Sequence, residues 1–119
     1  VRGDKHLTRQ AQFDLVFREG KSWAAQPLVM RARPNGLDYS RYGFTVSRRV
    51  GKAVVRNRVR RRLREILRPI ELAPGWDVVF IARVPAADAG YAGLTLAVRG
   101  LLRRAGLVEE YEGISPGVN

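Results

Sequence analysis

Residues 48–68 read RRVGKAVVRNRVRRRLREILR, which sets ten of the chain's twenty-two Lys and Arg residues against one acid, Glu65. Its apolar residues recur at helical spacing, with Val55, Val59, Leu63, Ile66 and Ile70 in one stripe and Leu67 beside it. At about 100° per residue, Asn57, Arg61, Arg64 and Arg68 lie opposite that stripe. Arg56 and Arg60 flank it on one side, and Arg58 and Arg62 on the other. Such a helix has one side for a core, and every other side is cationic.

A solvated helix face normally mixes signs and gains from i,i+4 ion pairs. Here Arg56/Arg60, Arg58/Arg62, Arg60/Arg64 and Arg64/Arg68 are like-charge pairs, each unfavourable by about 0.2–0.5 kcal/mol. An external anion relieves that repulsion. The formal net charge of +11, concentrated on one element, makes a field that attracts a polyanion. Arginine outnumbers lysine throughout the run, which suits forked recognition of phosphate oxygens or stacking on bases. The partner indicated is nucleic acid. Asn57 is the one amide placed to read a base edge, and neither a two-helix DNA-binding unit nor a dimerising zipper surrounds it, so RNA read by shape and phosphate fits better than duplex DNA.

The remaining chain predicts one domain over 1–119, since 119 residues with 45% hydrophobic content suffice for one core and are too few for two. A first helix is expected from an N-cap at Thr8 to before Gly20, with Phe13, Val16 and Phe17 on one face. A strand is expected over 27–33, then a tight reversal at Asn35-Gly36, then a strand over 41–48. Alternation in that second strand sets Tyr42, Phe44 and Val46 against Gly43, Thr45 and Ser47, so one sheet face is small and polar there. Pro69 ends the basic helix, and Ala73-Pro74-Gly75 precedes a strand over 76–84 that is apolar in both registers, as a doubly covered central strand requires. A last helix over 91–105 turns Leu94, Val98, Leu101 and Leu102 inward and ends at Gly106, weakened by Gly93 and Gly100 at about 1 kcal/mol each. Residues 1–6 and 109–119 are expected to be mobile.

Chemical machinery is sparse. The absence of cysteine removes disulfides, thiolate nucleophiles and sulfur metal sites, and is compatible with a reducing cytoplasm. The longest near-continuous apolar run, 78–82, has the length of a strand, and the N-terminus has no apolar segment behind its charges, so neither a membrane span nor a secretory signal is expected. His6, the only histidine, reads as a solvated terminal residue, and Ser22, Ser40, Ser47 and Ser115 have no credible base. Glu109, Glu110 and Glu112 read as a solvated tail rather than a metal site. Gly51-Lys52 lacks the upstream glycine spacing of a phosphate loop, and Ala53 stands where it needs Ser or Thr. No catalytic residue and no protein-held metal are assigned. The chain lacks the parts of a self-sufficient nuclease.

The string GFTVSRRVGKAVVRNRVRRRLRE at 43–65, with Arg56-Asn57-Arg58 at its centre, closely resembles the signature of the protein subunit of bacterial ribonuclease P. The likeness extends to Leu7-Thr8-Arg9 and residues 13–20, to the strand at 76–85 and to residues 101–107. It implies an α+β sandwich of three helices on a small mixed sheet, with a left-handed β-α-β crossover through the basic helix, where pattern alone predicts the common right-handed one. It also implies maturation of transfer RNA. A catalytic RNA removes the 5′ leader of precursor transfer RNA with magnesium ions held mainly by RNA, and the small basic protein assists. No protein partner is indicated. Carried over, the resemblance makes Arg48, Arg49, Lys52, Arg56, Asn57, Arg58, Arg60, Arg61 and Arg64 the RNA-facing set, and puts Phe13 and Phe17 in a cleft for the single-stranded leader. Periodicity alone makes those two phenylalanines core. Family members often carry an aromatic residue on the first strand near the cleft. Leu28, Val29, Met30 and Arg31 supply none, leaving the Arg31 guanidinium as the stacking surface. Two other classes stay open: a basic RNA-binding or RNA-chaperone domain needing only the arginine helix, and a DNA-binding regulator, which would bind duplex sequence-selectively.

Overall fold

Alternating side chains sort the strands of this protein onto two faces of one sheet in a computed structural model that describes residues 5–108. The strands are β1 (Lys21–Ala24), β2 (Leu28–Pro34), β3 (Arg41–Val46) and β4 (Trp76–Ala82), and their spatial order is β1-β2-β4-β3. β1/β2 and β2/β4 are antiparallel, whereas β3/β4 are parallel. The helices are α1 (Gln10–Glu19), α2 (Ala53–Leu67) and α3 (Gly90–Arg104), with short 3-10 turns at Arg48–Val50 and Val84–Ala87. This is the α+β arrangement expected, three helices on a mixed sheet. The parallel pair β3/β4 is joined through α2.

Strand register aligns Met30, Phe80 and Phe44 across the sheet, and Ala32, Val78 and Tyr42 beside them. Together with Leu28, Val46 and Ala82 they make the face on which α2 and α3 pack. α2 contributes Val59, Leu63, Ile66 and Leu67, and α3 contributes Leu94, Val98, Leu101 and Leu102, all buried. Each such side chain removed from water contributes about 1.5–3 kcal/mol. α2 stops before Pro69, as the missing N–H of proline requires. α3 closes on Gly106 at φ 74°: the Gly106 N–H bonds the Arg103 carbonyl (3.1 Å) and the Leu107 N–H bonds that of Leu102 (2.9 Å). These are the paired bonds of a Schellman motif.

The opposite face carries Arg31, Val79 and Gly43 in one row and Val29, Ile81 and Thr45 in the next. α1 packs here, and Val16 joins Leu7 and Val79 in a second, smaller core with Phe13 and Ile81 against it. At the sheet's end Asp77 is buried, accepting from Arg41 Nε (2.9 Å), Arg41 Nη2 (2.7 Å) and Asn35 Nδ2 (2.9 Å). The hydrogen bond to Asp77 raises the Arg41 guanidinium above its ordinary pKa, so it stays charged.

Several expectations need correction. β1 was not anticipated. Asn35-Gly36 reverses the chain but makes no hairpin, because β4 lies between β2 and β3. The N-cap of α1 is Arg9 rather than Thr8, since Gln12 Oε1 reaches back to accept from the Thr8 N–H (2.8 Å) and the Arg9 N–H (2.9 Å). β3 and β4 stop at Val46 and Ala82, before the 3-10 turns. His6 is not a solvated end. It is half-buried, bridges Tyr42 in parallel, and sets its ring edge-on to Tyr42 at 4.9 Å between centroids, while Lys5 accepts from the Tyr42 N–H (2.7 Å). The expectations for residues 1–4 and 109–119, with Glu109, Glu110, Glu112 and Ser115, fall outside the described residues. Among the described residues no helix is long and apolar enough to cross a membrane.

Candidate nucleic-acid interface

The stripe that seats α2 on the sheet is also what turns its arginines outward. With Val59, Leu63, Ile66 and Leu67 buried, Asn57, Arg61, Arg64 and Arg68 are exposed, and Arg56, Arg58, Arg60 and Arg62 are half-buried along the flanks. Val55, the stripe's first residue, is half-buried too. The chain enters the helix through the 3-10 turn at Arg48–Val50, whose Val50 is buried and whose Arg48 and Arg49 are exposed, and Lys52 follows, also exposed. All nine RNA-facing candidates thus belong to one continuous structure on the α2 side.

Little inside the protein neutralises this surface. Among the described residues no arginine between 48 and 68 forms an ion pair, and the only side-chain hydrogen bond there runs from Arg60 Nη1 to Asn57 Oδ1 (3.0 Å). Arg56 Nε is a buried N–H with no acceptor. A row of guanidiniums with unused donors has the chemistry to grip phosphate oxygens. Val54, 72% exposed at the first turn, is an apolar side chain within this cationic surface that the periodicity did not single out.

The other three candidates, Phe13, Phe17 and Arg31, meet on the far side of the sheet. Phe13 is half-buried and lies on Gly43: a β-carbon built there would stand 2.6 Å from Phe13 Cζ. Its place is therefore largely packing. One turn on, Phe17 is 37% exposed. Arg31 is committed to the end of α1, donating from Nη2 to the carbonyls of Phe17 (2.7 Å) and Gly20 (2.9 Å). Those carbonyls have no partner within the helix, and a cation at this end also suits its dipole. Arg31 fastens α1 to the sheet with these donors, and only its planar faces remain for stacking. Gly20 permits the close approach, since a β-carbon there would meet the Val16 carbonyl oxygen at 2.5 Å.

α1 shields the row Arg31, Val79 and Gly43 but leaves Val29, Ile81 and Thr45 half-buried beside it. Val29, Ile81 and Thr45 thus form a partly exposed strip of the sheet beside α1. Sequence reasoning missed Val29 and Ile81, because a strand apolar in both registers reads as covered on both sides; the ten-residue length of α1 was the available signal that the cover is partial. Among the described residues no three His, Cys, Asp or Glu side chains gather to hold a metal ion.

Residues 2–106 match the family model described as Ribonuclease P. Among curated proteins, the chain is 50% identical over 106 residues to the ribonuclease P protein component of Roseiflexus castenholzii, covering 87% of each chain. It is 43% identical over 110 residues to that of Dehalococcoides mccartyi, covering 92% of each. Among solved structures, the Staphylococcus aureus ribonuclease P protein superposes with a TM-score of 0.80 at 27% identity, over 90% of this chain and 100% of the other. The Thermotoga maritima protein superposes with a TM-score of 0.75 at 35% identity, over 85% and 97%.

Proposed function

The chain belongs to the ribonuclease P protein family, the protein component of an endoribonuclease whose catalysis lies in its RNA, and from that premise we propose how its two faces divide the work. The α2 face docks on the catalytic RNA, with Arg48, Arg49, Lys52, Arg56, Asn57, Arg58, Arg60, Arg61 and Arg64 directed at phosphates and sugar edges. The cleft under α1 receives the 5′ leader of precursor transfer RNA, with Phe17 and the strip Val29, Ile81 and Thr45 as its apolar contact and Phe13 as the packing that holds its wall. A base offers a π face whatever its identity, so such a cleft tolerates many leader sequences.

The observation that carries this reading is the division of chemistry across the sheet: unneutralised arginines on one side, and an incompletely covered apolar strip on the other. A domain that only bound RNA through α2 would gain nothing from leaving that strip half-covered. Magnesium, which the reaction needs, is assigned to sites held by RNA, and no step is routed through a metal on this chain. The protein works as a single domain in the cytoplasm, with no membrane or further protein partner in the scheme.

Cleavage of a precursor transfer RNA at low magnesium tests the proposal, with the protein alone, the catalytic RNA alone and the two combined. Cleavage chiefly by the mixture is expected. Absence of stimulation reduces the chain to a basic RNA-binding domain, and cleavage by the protein alone overturns the assignment of catalysis to RNA.

A further inference from the structure

Beyond the C-terminal end of α2, on the side of the sheet away from the leader cleft, lies a pocket of about 280 Å³ that neither face accounts for. Its inner surface is aromatic and aliphatic, from Tyr39, Tyr42, Leu67 and Ile70. Its mouth carries two cations, Lys5 and Arg68, and two carboxylates, Asp38 and Glu71. None of these four side chains is ion-paired or hydrogen-bonded within the described residues. Ser40, by contrast, is already satisfied, donating to the Ala73 carbonyl (2.5 Å) and accepting from the Trp76 N–H (2.9 Å).

The balance of charge decides what fits. A bare phosphate would gain two cations but meet two carboxylates as well, and a fatty ligand would have to desolvate four charged groups. A flat, neutral heterocycle with N–H donors suits both parts, because its face packs on the Tyr39 ring while its donors reach a carboxylate. The size agrees, since about 300 Å³ is the small end of ligand pockets. Arg68 ties the pocket to the arginine row of α2, so the phosphate of the same nucleotide has a cation waiting outside. We propose that this pocket takes one unpaired base of the catalytic RNA, and that its carboxylates select a base presenting amino and imino N–H groups, guanine above all, and reject uracil. The inference rests on the α2 face docking on that RNA, and it adds a base-reading site to a surface otherwise built for phosphates.

Binding of the full-length protein to the catalytic RNA, measured across salt concentrations, tests this with three variants. Tyr39→Ala is expected to weaken binding about tenfold with the salt dependence unchanged, because a stacking contact releases no counterion. Asp38→Asn, at an exposed position where folding is little affected, is expected to abolish the preference of the free protein for 5′-GMP over 5′-UMP in ligand-observed NMR. Arg61→Ala is the reference, expected to weaken binding and flatten the log–log salt slope by about 0.7–0.9. If Arg61→Ala acts and the other two do not, the base pocket is refuted while the docking face stands. If Arg61→Ala is also silent, the docking face itself fails. Should Tyr39→Ala lower the thermal unfolding midpoint, Asp38→Asn decides alone. Equal loss of affinity for precursor transfer RNA lacking the catalytic RNA would assign the base to the substrate and overturn the source named here.

Discussion

A methyl group at position 43 has no room, because the ideal β-carbon falls 2.6 Å from Phe13 Cζ and 2.8 Å from Cε1. Glycine is required there by the aromatic ring lying on the strand, not by its backbone angles. Gly43→Ala must push Phe13 aside, and is expected to destabilise the protein by about 1–3 kcal/mol in urea unfolding. In a Phe13→Ala background the same substitution should cost markedly less, since the clash has been removed; equal costs in both backgrounds would show that the ring does not rest on Gly43. Asp77 makes the complementary case for a polar group. Its carboxylate takes three hydrogen bonds while almost wholly buried, so Asp77→Ala strips the Arg41 guanidinium of its acceptor and leaves the Asn35 amide only the Tyr39 carbonyl (3.2 Å). A loss of about 3 kcal/mol is expected in the same assay. Because Arg41 is shifted upward, its share of this stability is complete below its unfolded pKa and fades only as pH rises past the folded one, so no loss from arginine deprotonation is expected near neutrality.

For the helices, fastening and function separate cleanly. α2 is seated by Leu63 among others, so Leu63→Ala should lower stability by about 2–5 kcal/mol and leave the salt slope of RNA binding intact, whereas Arg61→Ala should change the slope and leave the unfolding midpoint alone. α1 is fastened by Arg31. Removing its side chain in Arg31→Ala loses two short hydrogen bonds to helix-end carbonyls and is expected to cost about 1.5–3 kcal/mol and to weaken leader binding, with affinity for the catalytic RNA unchanged. α2 was readable from the sequence because its stripe and its arginines share one period, and the inward residues of α3 were readable for the same reason. β1 was not, since four residues at a sheet edge, only Trp23 among them half-buried, carry no alternation. Nor does any local signal announce that β4 inserts between β2 and β3. The Asn-Gly turn prescribes a reversal, and pairing partners are settled by which apolar faces meet, far away in the chain. The strip beside α1 was less legible: periodicity made Phe13 and Phe17 core, only the family likeness set them at a cleft, and how much sheet stays open depends on how much a ten-residue helix covers.

Taken together, the chain is a sheet with a charged layer on one side and a short helix on the other, and its net charge of +11 is distributed accordingly. The two faces proposed to bind RNA are separated by a packed sheet and draw on different core side chains: the α2 core on Met30, Val78 and Phe80, and the α1 core on Val16 and Val79. Perturbations on the two faces should therefore be independent. In the reconstituted ribonucleoprotein, Arg61→Ala and Phe17→Ala are each expected to lower kcat/KM for a precursor with a long leader, and their effects on the activation free energy should add within about 0.5 kcal/mol in the double variant. Shortening the leader supplies the control, because it removes what Phe17 contacts and leaves what Arg61 contacts. With a leader too short to enter the cleft, the Phe17→Ala effect should vanish and the Arg61→Ala effect should persist with its salt dependence. Strong non-additivity would mean that the sheet transmits strain between its faces, as happens when one face cannot bind until the other has ordered it. Persistence of the Phe17 effect on a leaderless substrate would mean that the cleft serves the catalytic RNA instead, and both faces of the sheet would then belong to one continuous RNA surface.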